Sequence, residues 1–372
     1  MAPERDAHIH QLPLVPKWIL RRYRALEPFD TRFRSCARLL QALWRENQGL
    51  TMGTHKGRDG RERRIGSLLS ATCAESGRNF LSPAIAHLVR REVAYQERGA
   101  LIDQRRLFTN LLSSMPLAFN AFAPLRLKPE LAAKVIRSLI PDIDLARVLN
   151  VGWEHSPGRL HPEFTGDRSA FDTAVVYERG DGQRGFIGFE VKYSESGSEG
   201  GQHEPNARFD QLAVASGLYR SPSSAVLRTP SLQQLFREHL LAFSALQEGG
   251  YAEARFVLIA PRHNHLVQQG ARLYSAHLVE PAAGAVPFID IELEQFIQAL
   301  GWAGEMDYAA ALHSRYTDWW AIDDVIEEAL AAKATDFSLH RPSGNRPIAL
   351  IAAATRFRVA QDTHQRRPKS CA

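Results

Sequence analysis

The chain has 372 residues, 44% hydrophobic and 23% charged. That is enough apolar length for a large core, and it excludes wholesale disorder, collagen-like repeats and coiled coils. No stretch reaches the roughly 18–20 uninterrupted apolar residues of a membrane helix, and the N-terminus lacks the cationic-then-apolar order of a signal peptide. A cytoplasmic protein with no membrane partner is therefore expected. The net charge of +5 is unevenly placed: +7 over residues 1–66, −8 over 67–332 and +6 over 333–372. Basic ends around an acidic centre suit a protein that holds phosphates with its flanks and keeps carboxylates for chemistry, although solvated tails give the same pattern. Cys36, Cys73 and Cys371 are far apart and odd in number, which supports neither a disulfide framework nor a thiolate zinc site.

In chain order, Trp18, Leu20, Tyr23 and Leu26 and then Leu39, Leu40, Leu43 and Trp44 recur at helical spacing, with Pro28 separating two helices. The Gly-rich, charged segment THKGRDGRERRIG reads as a mobile loop or linker, able to track a phosphate backbone or merely disordered. Helices are expected near 82–96, 104–122 and 128–139, with Asp103 as a cap and Pro129 in a first turn. From about 147 the pattern becomes β-type: RVLNVGW, AFDTAVVYE, GFIGFEVKY, ARFVLIAP and VPFIDI. Helical stretches near 204–219, 231–247, 265–278, 291–300 and 305–331 lie between or after these runs. Interleaved strands and helices predict an α/β layer fold. The residues after 333 are rich in Pro, Arg and Ala and read as a flexible basic tail.

The chemistry concentrates on two neighbouring strands. Period-two alternation puts Asp172, Ala174 and Val176 on one face of the first, and Gly188, Glu190 and Lys192 on one face of the second. Asp172 shares a face with Glu190 only if paired positions sum to an even number, which needs an odd-length loop. Gly180-Asp181-Gly182 can supply one, as a three-residue turn with a left-handed glycine. Two carboxylates and a lysine so placed would repel and cost desolvation, and a divalent cation relieves both. Mg²⁺ prefers oxygen donors and keeps waters, so Asp172, Glu190 and one strand carbonyl make a partial coordination shell for it. Lys192 is the only lysine between 135 and 332 in a chain of 39 arginines and 7 lysines. Where arginine is the default cation, that singles out a position for a compact ammonium, although a lysine on a sheet edge would look the same.

Asp172, a gap of 17 residues and Glu190-Val191-Lys192 on the next strand resemble the PD-(D/E)XK nuclease signature, with Phe171 where that superfamily often has proline. The strings FTGDRSAFD, GFIGFEVKYSE, RFDQLAVASGLY and GALIDQRRLFTNLLSSMPLAFNAF extend the likeness to a bacterial subgroup of restriction-endonuclease-like proteins, over about 66–320. The resemblance implies a restriction-endonuclease-like core with a mixed central β-sheet flanked by helices, a helical N-terminal lead-in and C-terminal helices. It implies that Asp172 and Glu190 bind Mg²⁺, for which Mn²⁺ can substitute. The Val191 backbone carbonyl would assist, and Lys192 would serve the attacking water. In some branches a glutamine on the helix after the second strand faces the metal, which makes Gln211 a candidate, and others add an upstream acidic ligand, for which Glu92 is the candidate. Arg168, near Asp167 in the turn before the first catalytic strand, and Arg208, on one helix face with Gln211, are candidate phosphate contacts. Turn and capping roles compete for these.

The expected organisation is a basic helical and linker segment over 1–65, a nuclease-like domain over 66–332 with its core near 147–290, and the tail 333–372. The expected function is metal-dependent hydrolysis of phosphodiester bonds, foremost in DNA, by a chain compatible with a homodimer. The competing reading is a non-catalytic nucleic-acid-binding or regulatory protein that keeps the fold. His263 and His265 in PRHNH lack a clear third ligand and read as ordinary loop residues. The loop SESGSEGGQHEPN matches no phosphate-binding fingerprint. Tyr308, Tyr316, Trp319 and Trp320 read as packing of a C-terminal helical layer.

Overall fold

The computed structural model describes residues 11–57, 60–195, 206–280 and 285–339, with side chains as far as residue 333. The expected tail beyond 339 and positions 196–205 of the Gly-rich loop lie outside the described residues. The described residues as far as 327 form one compact unit, and those from 328 onward belong to a second.

The N-terminal half is mostly helical. Helix α1 (Lys17–Arg22) precedes α2 (Arg32–Asn47), which starts where Thr31 Oγ1 accepts the Arg34 N–H at 3.1 Å. Helix α2 is buried along most of its length, so its polar residues carry partners: Arg38 pairs with Asp30, and Gln41 donates to the Tyr193 hydroxyl at 2.9 Å. Residues 11–57 and 60–65 are thereby built into the first unit. The segment expected as a linker is an antiparallel hairpin of β1 (Met52–Lys56) and β2 (Glu62–Leu69), in register His55↔Arg63. Gly57 N–H donates to the Arg61 carbonyl, and Gly60 takes φ +76° to close the turn. Charge and glycine content concealed this strand pair, whose buried apolar side chains are Ile65 and Leu69 on β2, with Ser67 buried between them.

Helices α3 (Ala71–Glu75), α4 (Pro83–Ala94), α5 (Gln104–Thr109), α6 (Ser114–Leu127) and α7 (Pro129–Leu139) follow. Asp103 caps α5 as expected, accepting the Arg106 N–H at 2.9 Å. The single helix expected over 104–122 is two. Asn110 Oδ1 takes the Leu112 N–H and Ser113 Oγ the Met115 N–H, so short polar side chains compete with the helical bonds and restart the helix. Leu111 N–H instead bonds the Ser67 carbonyl of β2.

The central sheet comes next. Strands β3 (Arg147–His155), β4 (Phe171–Glu178) and β5 (Arg184–Val191) form an antiparallel meander. Helices α8 (Ala207–Ser216) and α9 (Gln233–Glu248) then lead to β6 (Glu253–Ala260), and α10 (His265–Ala276) to β7 (Phe288–Glu292), both added in parallel. The sheet order is β3-β4-β5-β6-β7. Helices α11 (Leu293–Trp302), α12 (Met306–Tyr316) and α13 (Trp320–Leu339) complete the described residues, with the break in the expected 305–331 helix at Thr317, the C-cap of α12. One face of the sheet packs on α6, α7 and α11, where Phe122 lies 4.8 Å from Phe189 and 5.0 Å from Phe296 between ring centroids. The other face packs Phe186, Ala254, Phe256 and Leu258 against α8, α9 and α10. The aromatics near the C-terminus are structural: Tyr316 accepts from buried Asn120, and Trp319 sits edge-on to Phe33.

Candidate active site

The turn between β4 and β5 sets the site. Arg179 N–H bonds the Gln183 carbonyl at 2.9 Å across Gly180-Asp181-Gly182, and Gly182 takes φ +80°. This odd-length loop yields the pairs Thr173↔Phe189 and Ala174↔Gly188. The ladder ends at Thr173↔Phe189, and continuing its register by one step would bring Asp172 level with Glu190.

Strict alternation fails just there. The Phe171 ring lies on the same face as Phe186 and Phe256, at 5.5 and 6.1 Å between centroids, directly over Gly188, whose absent Cβ would come within 2.4 Å of it. Asp172 turns toward β5, and its Oδ2 accepts the Val191 N–H at 2.9 Å. On β3 the flip is matched by Glu154 at φ +49°, between the pairs Trp153↔Thr173 and His155↔Phe171. Trp153 stacks on Phe119 of α6, whereas His155 lies near Phe186 on the opposite face. A left-handed residue between them reverses the faces, as a bulge does.

The side chains converge on α9. Lys192 Nζ is 2.6 Å from Glu190 Oε1 and donates at 2.6 Å to Gln234 Oε1. The Gln234 amide donates in turn to Glu190 Oε1 at 2.7 Å and to Glu238 Oε1 at 2.9 Å. Glu190 is 2% exposed and Glu238 5%, and Glu238 Oε2 is buried with no hydrogen-bond partner. Burial foremost, then the charge of Glu190, raises the pKa of both Asp172 and Glu238 well above the carboxylate norm. Glu154 is a further electrostatic neighbour of Asp172, and burial raises its pKa as well. For Lys192 burial pulls downward, but Glu190 and Asp172 outweigh it, so its pKa is raised and it stays an ammonium. Just beyond, Glu195 accepts from Arg106, Ser114 N and Tyr193 N. Its own burial is offset by Lys192 and these bonds, and its pKa falls. Asn264 of PRHNH donates to the Tyr193 and Glu195 carbonyls, which fixes the exit from β5.

The other candidate residues lie elsewhere in the architecture. Gln211 is exposed on α8, and the glutamine touching Glu190 and Lys192 is Gln234. Glu92, half-buried on α4, has Arg126 and Arg91 as its charged neighbours. Arg208 donates to the Phe164 and Glu163 carbonyls and holds the loop before β4. Arg168 is exposed, and its carbonyl accepts from Arg159 at 3.4 Å. Asp167 accepts from Thr165, Ser169 and Arg237, a capped turn tied to α9. Gln234 and Glu238 escaped the sequence reading, though they leave a signal: two polar residues four apart on a helix that otherwise buries Leu235, Phe236, Leu240 and Leu241.

Asp172 Oδ1 and Glu190 Oε2 accept no hydrogen bond among the described residues. Oxygen donors left open beside crowded, desolvated carboxylates fit a hard divalent cation. Among the described residues no group of three or more His, Cys, Asp or Glu side chains is arranged to hold a metal ion. The remaining ligands would therefore be a strand carbonyl, water and phosphate oxygens, the usual company of Mg²⁺.

A mixed five-stranded sheet between helical layers, with Asp172 and Glu190-Val191-Lys192 at one end of its central hairpin, defines a nuclease-type, restriction-endonuclease-like fold. The family model described as the PD-(D/E)XK nuclease superfamily matches residues 28–318, and the chain belongs to that superfamily. No curated protein and no solved structure matches the chain.

Proposed function

We propose that this protein is a metal-dependent nuclease that hydrolyses phosphodiester bonds in DNA. The observation that carries the reading is the meeting of Asp172, Glu190 and Lys192 at the end of the β4–β5 hairpin, with Lys192 Nζ 2.6 Å from Glu190 Oε1. A chain that had kept the fold without the chemistry would have no reason to hold two carboxylates and an ammonium together at a desolvation cost.

Asp172, Glu190 and the Val191 carbonyl would hold Mg²⁺ or Mn²⁺. When bound, the cation polarises the scissile phosphate and neutralises part of its charge. Lys192 is held from two sides, by Glu190 and Gln234, so its ammonium is in place before substrate arrives. It orients the attacking water and opposes the negative charge that builds on the phosphate. Because its carboxylate neighbours keep it protonated, it serves as a charge and a donor; the proton of the attacking water leaves to solvent or phosphate. Gln234 keeps Glu190 and Lys192 in register, and the Asp167–Arg237 pair ties the approach to β4 onto the same helix.

The test is cleavage of linear, circular and single-stranded DNA by the purified chain in Mg²⁺ or Mn²⁺. Asp172→Ala and Glu190→Ala should each abolish metal-dependent cleavage while the protein stays folded. Wild-type rates in either folded variant overturn the assignment, and an inactive wild type on every DNA form returns the chain to the non-catalytic reading.

A further inference from the structure

The β1–β2 hairpin stands beside α5, and the two enclose an open cleft of about 630 Å³ lined in part by Thr54, His55, Arg105 and Arg106. Thr54 pairs with Arg64 and Lys56 lies two residues beyond Thr54, so Lys56 and Arg64 share one hairpin face beyond the cleft, with Glu62 across from Lys56. Among the described residues Lys56, Arg64 and Arg105 are exposed and in no ion pair. This differs from the arginines on the hairpin's other side, where Arg63 pairs with Glu27 and Arg38 with Asp30. One side chain of the cleft wall links it to the candidate site. Arg106, in its wall, donates at 2.7 Å to Glu195 Oε1, three residues after Lys192 and an electrostatic neighbour of it.

We infer that this cleft is the track of the DNA backbone, with Lys56, Arg64 and Arg105 contacting phosphates of the strand that passes the active site. The inference rests on the nuclease reading and adds to it the surface that holds substrate. Unpaired cations on an exposed hairpin keep their full charge for a polyanion, and each phosphate they neutralise releases counterions. The edge of a two-stranded sheet also gains from charge that blocks strand pairing, and that is the competing explanation.

The experiment compares Lys56→Gln/Arg64→Gln/Arg105→Gln with wild type and with a control, Lys134→Gln/Arg184→Gln, which removes exposed cations from α7 and from the far end of β5. Affinity for a labelled DNA duplex is measured in Ca²⁺ across roughly 50–200 mM salt, the range over which counterion release is read. Three lost phosphate contacts should flatten the slope of log affinity against log salt by about 2 to 3 and weaken binding by about tenfold to a hundredfold at the lower salt. A slope unchanged in the triple variant, or changed no more than in the control, overturns the inference and leaves the cations as edge protection. A wild type that binds with the expected slope but cleaves nothing removes the nuclease reading and leaves the inference standing. A wild type that binds no DNA overturns both.

Discussion

Lys192 shows how much one side chain can carry. A compact ammonium reaches Glu190 Oε1 and Gln234 Oε1 at the same 2.6 Å, a geometry that a longer, planar guanidinium cannot copy without moving one partner. Lys192→Ala should therefore retain cation and DNA binding yet lose on the order of 10² to 10³ in single-turnover rate, the scale of one preorganised electrostatic group. Lys192→Arg should recover only part of that loss; a fully active Arg variant would mean the position needs charge alone. Gln234 acts through its neighbours, so Gln234→Ala should cost less, about tenfold to a hundredfold, as partners that orient ligands do. Part of that cost should appear as weaker Mg²⁺ affinity by calorimetry, and an unchanged Mg²⁺ titration with unchanged rate would reduce Gln234 to packing. The sequence marked Lys192 by scarcity, whereas Gln234 carried no comparable mark because glutamine on a helix is commonplace until the helix is known to lie over β5 and β6.

At the level of elements, the β4–β5 hairpin was legible because its information is local: alternation gives the strands, and an odd loop with a left-handed glycine gives the register. The crossing of Phe171 over Gly188 was not, since it depends on a ring from one strand using the space above a glycine on the next. A Cβ at 188 would meet that ring at 2.4 Å, so Gly188→Ala should force Phe171 aside and lower stability by about 1–3 kcal/mol, the range of core overpacking. Because Phe171 precedes Asp172, the same change should depress cleavage at temperatures where the variant is still folded. Thermal unfolding alongside activity checks both, and a variant with wild-type melting and rate would show that the ring relocates freely. The β1–β2 hairpin was hidden for the opposite reason: most of β1 and the first half of β2 face outward and burial is confined mainly to the end of β2, so composition spoke of solvent while backbone pairing made a sheet. The broken helix at 110–113 was likewise unreadable from periodicity, which continues across two short polar caps.

For the whole molecule, the buried carboxyls make stability depend on pH and on cation together. Asp172 and Glu238 hold protons more tightly folded than unfolded, by burial first and Glu190 second. Between the ordinary carboxylate range, about 4, and their raised values, the folded chain thus binds more protons than the unfolded one, and stability falls as pH rises. Asp167 and Glu195 have the opposite sign: their pKa values are lowered, so the stability they add is present above the ordinary range and lost as pH falls. The metal-free protein should consequently be most stable in weak acid and melt at lower temperature as pH is taken from about 5 to about 8. A divalent cation favours the ionised carboxylates of the folded state alone, so Mg²⁺ at a hundred times its dissociation constant should restore about 2.7 kcal/mol at the alkaline end. Asp172→Asn should flatten the metal-free profile, raise stability near pH 8 by on the order of 1 kcal/mol, and lose most of the response to Mg²⁺. Melting curves of wild type and variant, in chelator and in Mg²⁺ across that pH range, measure all three effects. A flat metal-free profile with no Mg²⁺ stabilisation of the wild type would mean that the crowded carboxylates are neutralised from within, by Lys192 and Gln234, and need no cation.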